Sequence, residues 1–350
     1  MDFTLDETRQ EITGLAGAVL RRDSDRGWQG LADAGLLALA LPAELGGDGF
    51  GALEIALVLT EVGRAGARVP ALSTLALGVL PIKHLGSTAQ QTALLPAIAA
   101  GEALVTAAPH EPSAPFPAEP STTAIPSGGG WLVSGTKTCV PYASEAVKIL
   151  VPVSMPGGPA VFLVDPRADG VTLVETRNAS GSPESTVQLA RVRCDRADQL
   201  GDGDAVRVLH QYALAGAAAL ADGTLAGALE LASGHVRTRE QFGRPLATFQ
   251  AVAQQIADVY IASRTLHLAA MSAAWRLSAG LDADTDLEVA AYWLAEEAPR
   301  ALATCHHLHG GLGLDITYAL HRFSSAIKDL SRFVGGSVFR LGELGELVVT

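Results

Sequence analysis

The most informative segment of this 350-residue chain is Arg239-Glu-Gln-Phe-Gly-Arg-Pro-Leu-Ala-Thr-Phe-Gln250. It connects two predicted long helices and, with Arg237 just before it, concentrates arginines, Phe242 and Gln250 in one turn. Guanidinium groups bind phosphate oxygens in a fixed fork geometry, so this set is suited to binding a pyrophosphate and contacting a planar ring. A purely structural interpretation stays open, in which Gly243 lies just beyond a helix C-terminus and Pro245 opens the next helix.

A second stretch, Cys305-His-His-Leu-His-Gly-Gly-Leu-Gly-Leu-Asp315, combines three histidines with a Gly-Gly-x-Gly run. The histidines do not share one face of a helix, and no carboxylate or thiol completes a set at ligand spacing, so no metal site is predicted. No strand precedes the glycines, which excludes a Rossmann dinucleotide-binding turn. The run instead predicts a helix that ends in a turn whose backbone a ligand or another chain can approach closely.

Outward from these stretches, the chain is helical, then rich in short strands, then helical again. We expect an α+β protein with an N-terminal helical domain over 1–103, a middle β domain over 104–201 and a C-terminal helical bundle over 202–350. In the N-terminal part, helices are expected to break at Pro42, at Gly46-Gly47, at Pro70 and at Pro81. Strands of four to six residues between Gly and Pro turns predict a small antiparallel barrel or sandwich in the middle part. Long helices are predicted near 205–238, 245–279 and 285–309, with shorter ones from Tyr318 and from Gly336.

Composition excludes several classes of partner and location. The formal net charge of −12 provides no electrostatic attraction for nucleic acid or for an anionic membrane surface. The longest apolar runs, over 69–82 and 213–221, are shorter than the ~20 residues of a membrane-spanning helix. Three widely separated cysteines predict no disulfide framework, and the acidic first residues differ from a basic targeting segment, so a cytoplasmic location is expected.

Together, Arg239 to Gln250 (R-x-x-F-G-x-P-x-x-x-F-Q) and His309 to Gly313 (H-G-G-x-G) resemble the acyl-CoA dehydrogenases. The resemblance covers nearly the whole chain, since three further segments match the family: Leu41-Pro-Ala-Glu-Leu-Gly-Gly47, His110-Glu-Pro112 and Gly135-Thr-Lys137. It implies an N-terminal helical domain, a middle β-barrel and a C-terminal four-helix bundle, with FAD between barrel and bundle. It also implies that a carboxylate removes the α-proton of an acyl-CoA while a hydride leaves the β-carbon for the flavin.

In the family, residues of both motifs reach across a dimer interface to the ADP half of the neighbouring subunit's FAD. Carried over residue by residue, this implies a set of cofactor-binding residues in this chain: Arg239, Phe242, Gln250, His307, Gly310 and Gly311.

The sequence departs from the family at the redox half of the site. The position of the usual glutamate base falls on Val334, and the alternative position used by some members falls on Ala213, so no catalytic residue is predicted in this chain. After Glu111-Pro112, the flavin-holding Gly-Ala-Gly-Ser-Asp is replaced by Ser-Ala-Pro-Phe-Pro. After Lys137 and Thr138, the family's usual Trp-Ile-Thr-Asn segment is replaced by Cys139-Val-Pro-Tyr142. Cys139 therefore occupies the position of the tryptophan.

This split pattern is similar to the small, base-lacking subunit of the actinobacterial heterotetrameric acyl-CoA dehydrogenases that act on steroid side-chain CoA thioesters. It implies an α2β2 complex with a homologous catalytic subunit, in which FAD is shared and this chain alone is inactive. A self-sufficient homo-oligomeric enzyme with a relocated base at Asp222 stays open, although a structural role for this carboxylate is favoured. A flavin-free scaffold subunit is the third alternative.

Overall fold

The computed structural model describes residues 4–22 and 27–349. The described residues before position 100 are mainly helical, with short 3₁₀ and π segments between the α-helices. The α-helices are α1 (Glu7–Arg22), α2 (Gly27–Asp33), α3 (Ala52–Arg64), α4 (Leu80–Leu85) and α5 (Thr88–Ala99). Helix α5 begins with a capping box, in which Ser87 and Gln90 satisfy each other's backbone N–H groups.

The expected helix break at Pro81 is wrong. A π-helical segment, Leu72–Val79, continues directly into α4, which has Pro81 near its start. The Leu80 N–H group donates to the carbonyl of Leu75, five residues earlier, so the turn is wider than an α-helical one. This wider turn accommodates a proline, which has no N–H to donate and whose ring needs space.

The middle part is one eight-stranded sheet. Its strands are β1 (Val105–Ala107), β2 (Thr123–Ser127), β3 (Gly130–Pro141), β4 (Lys148–Met155), β5 (Gly158–Val164), β6 (Val171–Arg177), β7 (Pro183–Cys194) and β8 (Gln199–Leu200). The strand order is β6-β7-β3-β2-β4-β5-β8, and β1 also pairs with β4. Alternate residues of these strands point inward to one apolar core that includes Val133, Val151 and Phe162.

The expectation of a purely antiparallel sheet is corrected by two parallel pairs, β1 with β4 and β2 with β4. The two-residue turn at Gly128 and Gly129, both with positive φ, folds β3 back beside β2. Strand β7 pairs with the other edge of β3, and β4 pairs on the far side of β2, where it runs in the same direction as β2.

The last part of the chain is helical apart from a two-stranded hairpin. It contains α6 (Ala205–Thr238), β9 (Glu240–Gln241), β10 (Arg244–Pro245), α7 (Gln250–Ser278), α8 (Asp284–His309), α9 (Leu320–Phe333) and α10 (Ser337–Val349). Helix α7 packs along α8, and α9 and α10 also pack on α8. A Cβ atom on Gly223 of α6 would lie 1.7 Å from the carbonyl oxygen of Thr60, so α6 and α3 cross with their backbones in contact.

The described chain forms two compact units, one made of 1–25, 56–68 and 217–350, and the other of 26–55 and 69–216. The three domain ranges expected from the sequence therefore stay a prediction. Helix α6 contributes to both units.

By length and composition, α6 is the only helix among the described residues that could cross a membrane. The sequence pattern did not indicate it because Asp222 interrupts its apolar run. However, 78% of its most apolar window is buried in the fold, as in a core helix. The cytoplasmic location expected from the sequence stays a prediction.

Candidate functional site

The basic stretch after α6 forms a tight β-hairpin. Gln241 pairs with Arg244 and Glu240 with Pro245, and the two residues between the strands, Phe242 and Gly243, have φ of +55° and +76°. Two consecutive positive φ values are typical of a two-residue hairpin turn. The interpretation of this stretch as a simple connection between two helices is therefore wrong in detail.

Gly243 lies at the hairpin tip and not beyond a helix C-terminus. Pro245 precedes a 3₁₀ turn, Leu246–Thr248, and α7 begins only at Gln250.

The hairpin presents an aromatic and basic surface. The Phe242 side chain is 91% exposed, and its ring meets that of Phe249 edge to face at 6.1 Å. On the same Phe249 ring lies the Arg244 guanidinium, 4.0 Å from the ring centroid. Arg237 and Arg239 are exposed and form no ion pair with a carboxylate of the described chain. These arginines are therefore available to an anionic group outside the chain.

The glycine-rich stretch ends α8 in an open turn. His307 is exposed, and its carbonyl accepts from the N–H of Gly310, whose φ of +57° and ψ of −136° favour glycine. A Cβ atom on Gly310 or Gly311 would meet nothing within 4 Å. The backbone of this turn can therefore be approached closely, as the sequence predicts.

The hairpin and the turn are connected by two histidines whose contact the sequence does not signal. The ring of His235, in the last turn of α6, stacks on the ring of His309 at 4.5 Å with an interplanar angle of 22°. His309 also contacts the Tyr318 hydroxyl through Nε2 at 3.1 Å. No local pattern indicates this stack because its rings come from different helices. Among the described residues, no group of three or more His, Cys, Asp or Glu side chains could hold a metal.

Neither predicted base position holds a proton acceptor. Val334 is fully buried, and its carbonyl accepts a hydrogen bond from Nε of Arg340. Arg340 is itself buried and pairs with Glu288 of α8 at 2.8 Å. Ala213 is also fully buried, within α6. The segment at Val334 is therefore fixed by a buried ion pair between α8 and α10.

Asp222, the candidate relocated base, lies within α6 and is 3% exposed. Its carboxylate accepts a hydrogen bond from Nδ1 of His267 on α7 at 2.9 Å. Because the side chain is buried and already bonded between two helices, its geometry favours a structural role.

Two family comparisons agree with the architecture. Residues 6–102 match the acyl-CoA dehydrogenase N-terminal domain, and residues 205–337 match the acyl-CoA dehydrogenase C-terminal domain. The chain is 47% identical to the acyl-CoA dehydrogenase FadE28 of Mycobacterium tuberculosis over 99% of its own length and 98% of that protein's.

The chain belongs to the acyl-CoA dehydrogenase family.

Solved structures of acyl-CoA dehydrogenases have the same fold. The steroid acyl-CoA dehydrogenase Tcur3481-Tcur3483 has a TM-score of 0.93 and 34% identity, with 99% of each chain covered. The ChsE4-ChsE5 complex from M. tuberculosis has a TM-score of 0.93 and 33% identity, covering 100% of this chain and 99% of that one. A glutaryl-CoA dehydrogenase from Mycobacterium smegmatis, solved with FADH2, shares the fold at a TM-score of 0.88 and 24% identity, covering 98% of this chain and 95% of that one.

The family's Glu-Pro and Gly-Thr-Lys segments meet in a buried ion pair. Lys137 Nζ donates to Glu111 Oε1 at 2.7 Å, and Glu111 also accepts from Ser121 and from the Thr122 N–H. Burial opposes ionisation of Glu111, but these hydrogen bonds outweigh it and lower its pKa to about 2. Burial lowers the pKa of Lys137 to about 8, against the effect of Glu111. This half of the acyl-CoA dehydrogenase fold is therefore held by a fixed charge pair.

The loop after Pro112, where acyl-CoA dehydrogenases have glycines and a serine, is closed by an aromatic side chain. Phe116 is buried and lies edge to face with His110 at 4.9 Å and with His210 at 5.1 Å. Cys139, at the position of the family's tryptophan, has a positive φ of 56° in a bulge of β3. The altered sequence therefore gives an altered local backbone and packing.

Proposed function

We propose that this chain is the non-catalytic subunit of a heteromeric, FAD-dependent acyl-CoA dehydrogenase, and that it completes the ADP half of the FAD site of a homologous catalytic subunit. One observation carries the proposal. The hairpin with Phe242 at its tip is intact, basic and exposed, whereas the predicted base position, Val334, is a buried valine. A chain that keeps the cofactor-binding surface and lacks the base is suited to assist the chemistry of another chain.

The exposed groups fit the ADP half of FAD. A pyrophosphate is a dianion that accepts bidentate hydrogen bonds from guanidinium groups, and Arg239 and Arg237 have no carboxylate partner in the described chain. The open backbone at Gly310 and Gly311 leaves room for an approaching ligand. Phe249 provides no side-chain cap at the start of α7, so the first N–H groups of that helix are also free to face an anion.

In this arrangement the chain's own residues bind and orient, and they transfer no proton. FAD supplies the hydride acceptor for the desaturation of the acyl-CoA. Arg239, Gln250 and the backbone of Gly310 and Gly311 hold the ADP half, and Phe242 covers a neighbouring apolar or planar surface. The general base comes from the catalytic subunit, because a valine and an alanine occupy both family positions here.

The relatives support a proposal for the substrate and the assembly. We expect a steroid side-chain CoA thioester as substrate and an α2β2 complex, because similar structures are a steroid acyl-CoA dehydrogenase and the ChsE4-ChsE5 complex. The self-sufficient alternative needs Asp222 as base, and the Asp222→Asn variant of the complex separates the two: a base loses turnover, whereas a structural carboxylate leaves turnover near that of the unchanged complex.

The test is co-expression with a homologous subunit from the same genome that carries the glutamate base, followed by measurement of FAD per complex. Two FAD per four chains support the proposal, and four FAD per four chains overturn it. Stoichiometric FAD and acyl-CoA oxidation by this chain alone would also overturn it.

A variant pair sharpens the test. Arg239→Ala should weaken FAD binding by about tenfold or more, since a hydrogen bond to a charged group is lost. Arg167→Ala, an exposed arginine of the β part, should leave binding unchanged. A complex that keeps full FAD affinity with Arg239→Ala would favour the flavin-free scaffold.

A further inference from the structure

We infer that His235 is a positioning residue for FAD: by stacking on His309, it fixes the hairpin at the end of α6 relative to the Gly310–Gly311 turn at the end of α8. This inference rests on the proposed function. It concerns a residue that lies outside both motifs, four positions before Arg239, and whose contact with His309 exists only in the folded structure.

His309 forms a fixed platform. Its Nδ1 lies 2.7 Å from the carbonyl oxygen of Cys305, which can only accept, so Nδ1 carries the proton. Nε2, at the other side of the ring, forms a hydrogen bond with the Tyr318 hydroxyl at 3.1 Å. His309 is 5% exposed. Gly313 packs against it so closely that a Cβ atom added to Gly313 would lie 3.2 Å from the Cβ atom of His309. Hydrogen bonds at both nitrogens therefore set the orientation of the ring.

His235 connects this platform to the hairpin. Its ring lies nearly parallel to that of His309, 4.5 Å away. Its carbonyl accepts from the N–H of Arg239 at 2.8 Å, so the residue that stacks also anchors the first residue of the hairpin motif. Burial, together with His309 and Arg239, lowers the pKa of His235 and favours the uncharged form of its ring.

The stack matters because the two predicted binding segments belong to different helices. A pyrophosphate bound by Arg239 and by the Gly310–Gly311 backbone needs both at a fixed separation, and misplacement of either weakens binding. Helix ends are the parts that open most readily. A ring contact between the last turn of α6 and the last residue of α8 holds both ends in register.

The experiment measures FAD affinity by titrating the FAD-free complex of this chain with its catalytic subunit. His235→Ala should weaken FAD binding about 3- to 10-fold, the range of an aromatic contact. His235→Phe keeps a ring in place and should stay near the unchanged complex. Gly234→Ala is the matched control, because its added Cβ meets nothing within 4 Å, and it should bind FAD normally.

A second variant tests the platform without altering the stack partner. Tyr318→Phe removes the hydroxyl that holds Nε2 of His309 and should weaken FAD binding by a few-fold, about 2 to 5. This variant keeps the inference testable if His235→Ala does not fold. Complex assembly, measured by light scattering, should be unchanged in every variant.

The outcomes separate this inference from the proposed function. If Arg239→Ala weakens FAD binding but His235→Ala and Tyr318→Phe do not, the positioning role is wrong and the proposed function stands. If Arg239→Ala has no effect, the proposed function itself fails. Equal losses of FAD affinity in His235→Ala and His235→Phe would also overturn the inference, because an aromatic ring at this position would then not be what supports FAD binding.

Discussion

Phe242 combines two unfavourable properties at a single residue. Its φ of +55° lies in the left-handed region, which costs a non-glycine residue about 1–2 kcal/mol, and its side chain is 91% exposed. Asparagine or glycine would suit this turn position better. Strained residues of this kind are typical of functional sites, where the geometry serves binding.

Replacing this residue should therefore separate stability from binding. Phe242→Asn should stabilise the isolated chain by up to about 1 kcal/mol, because asparagine tolerates positive φ. In the complex, the same variant should bind FAD or the partner more weakly because the aromatic contact is lost. Thermal unfolding of the chain and FAD titration of the complex measure the two effects, and a loss of stability with normal FAD affinity would contradict the prediction.

Glu111 and Lys137 form a buried ion pair that makes the stability of the fold depend on pH. The pKa of Glu111 is about 2 in the folded chain, below its usual value of 4.5. Between pH 2 and pH 4.5, the unfolded chain therefore binds more protons than the folded chain. The stabilisation is fully present above pH 4.5 and is lost as the pH falls toward 2. Its size is about 3 kcal/mol, from 1.4 kcal/mol per unit of pKa.

This predicts acid sensitivity that depends on the pair. Between pH 4.5 and 2.5, the free energy of unfolding should fall more steeply for the unchanged chain than for the double variant Glu111→Gln/Lys137→Met. Urea unfolding followed by circular dichroism at several pH values gives both slopes. The double variant is used because removing one charge alone leaves the other buried and unpaired, at a cost of about 3–5 kcal/mol. Coincident slopes would show that Glu111 is not the responsible carboxylate.

At the scale of elements, the crossing of α3 and α6 depends on missing side chains. Gly63 and Gly223 face the backbone of the opposite helix, and an added Cβ would lie 2.2 Å from the Leu220 oxygen and 1.7 Å from the Thr60 oxygen, respectively. Both distances are far below van der Waals contact, so the helices would have to separate. Glycine is otherwise unfavourable within a helix by about 1 kcal/mol, and close packing explains its presence here.

The same substitution should therefore have opposite effects at two positions of α6. Gly223→Ala should destabilise the chain by about 1–3 kcal/mol, the usual cost of overpacking. Gly234→Ala, where nothing lies within 4 Å, should stabilise it by up to about 1 kcal/mol through helix propensity. Chemical unfolding of both variants measures this, and a Gly223→Ala variant as stable as Gly234→Ala would show that the helices separate at no cost.

At the scale of the whole molecule, several apolar side chains lie on the surface near the predicted cofactor-binding segments. Leu314 and Ile316, which follow the Gly310–Gly311 turn, are 83% and 77% exposed, and Phe242 is exposed at the hairpin tip. Exposed apolar groups close to binding residues are typical of an interface with another protein. The exposed groups are consistent with the proposed subunit contact.

Hydrogen–deuterium exchange should locate this contact. When the catalytic subunit binds, peptides covering 239–250 and 307–316 should exchange more slowly, because their backbone is covered. A peptide covering the β4–β5 turn at Pro156 and Gly157 should exchange as before and is the internal control. Unchanged exchange over 239–250 in an assembled complex would place the partner elsewhere.

The α, β, α order of elements, the family, and the absence of a base at Val334 and Ala213 could all be predicted from the amino-acid sequence. These properties depend on residue types and on short-range periodicity, which neighbouring residues fix. Helix bounds were predicted closely for α6 and α8, where the apolar spacing is long and regular. The helix predicted over 245–279 instead begins at Gln250, because the hairpin and a 3₁₀ turn take up its first residues.

The contacts between residues that are distant in the sequence became evident only in the folded chain. The His235–His309 stack, the Arg340–Glu288 pair behind Val334, and the Asp222–His267 bond each join side chains from different helices. The packing of whole elements sets such contacts, and no local pattern encodes which buried polar groups will become partners. For this reason the predicted cofactor-binding residues could be named from sequence motifs, whereas the side chains that contact them could be found only in the fold.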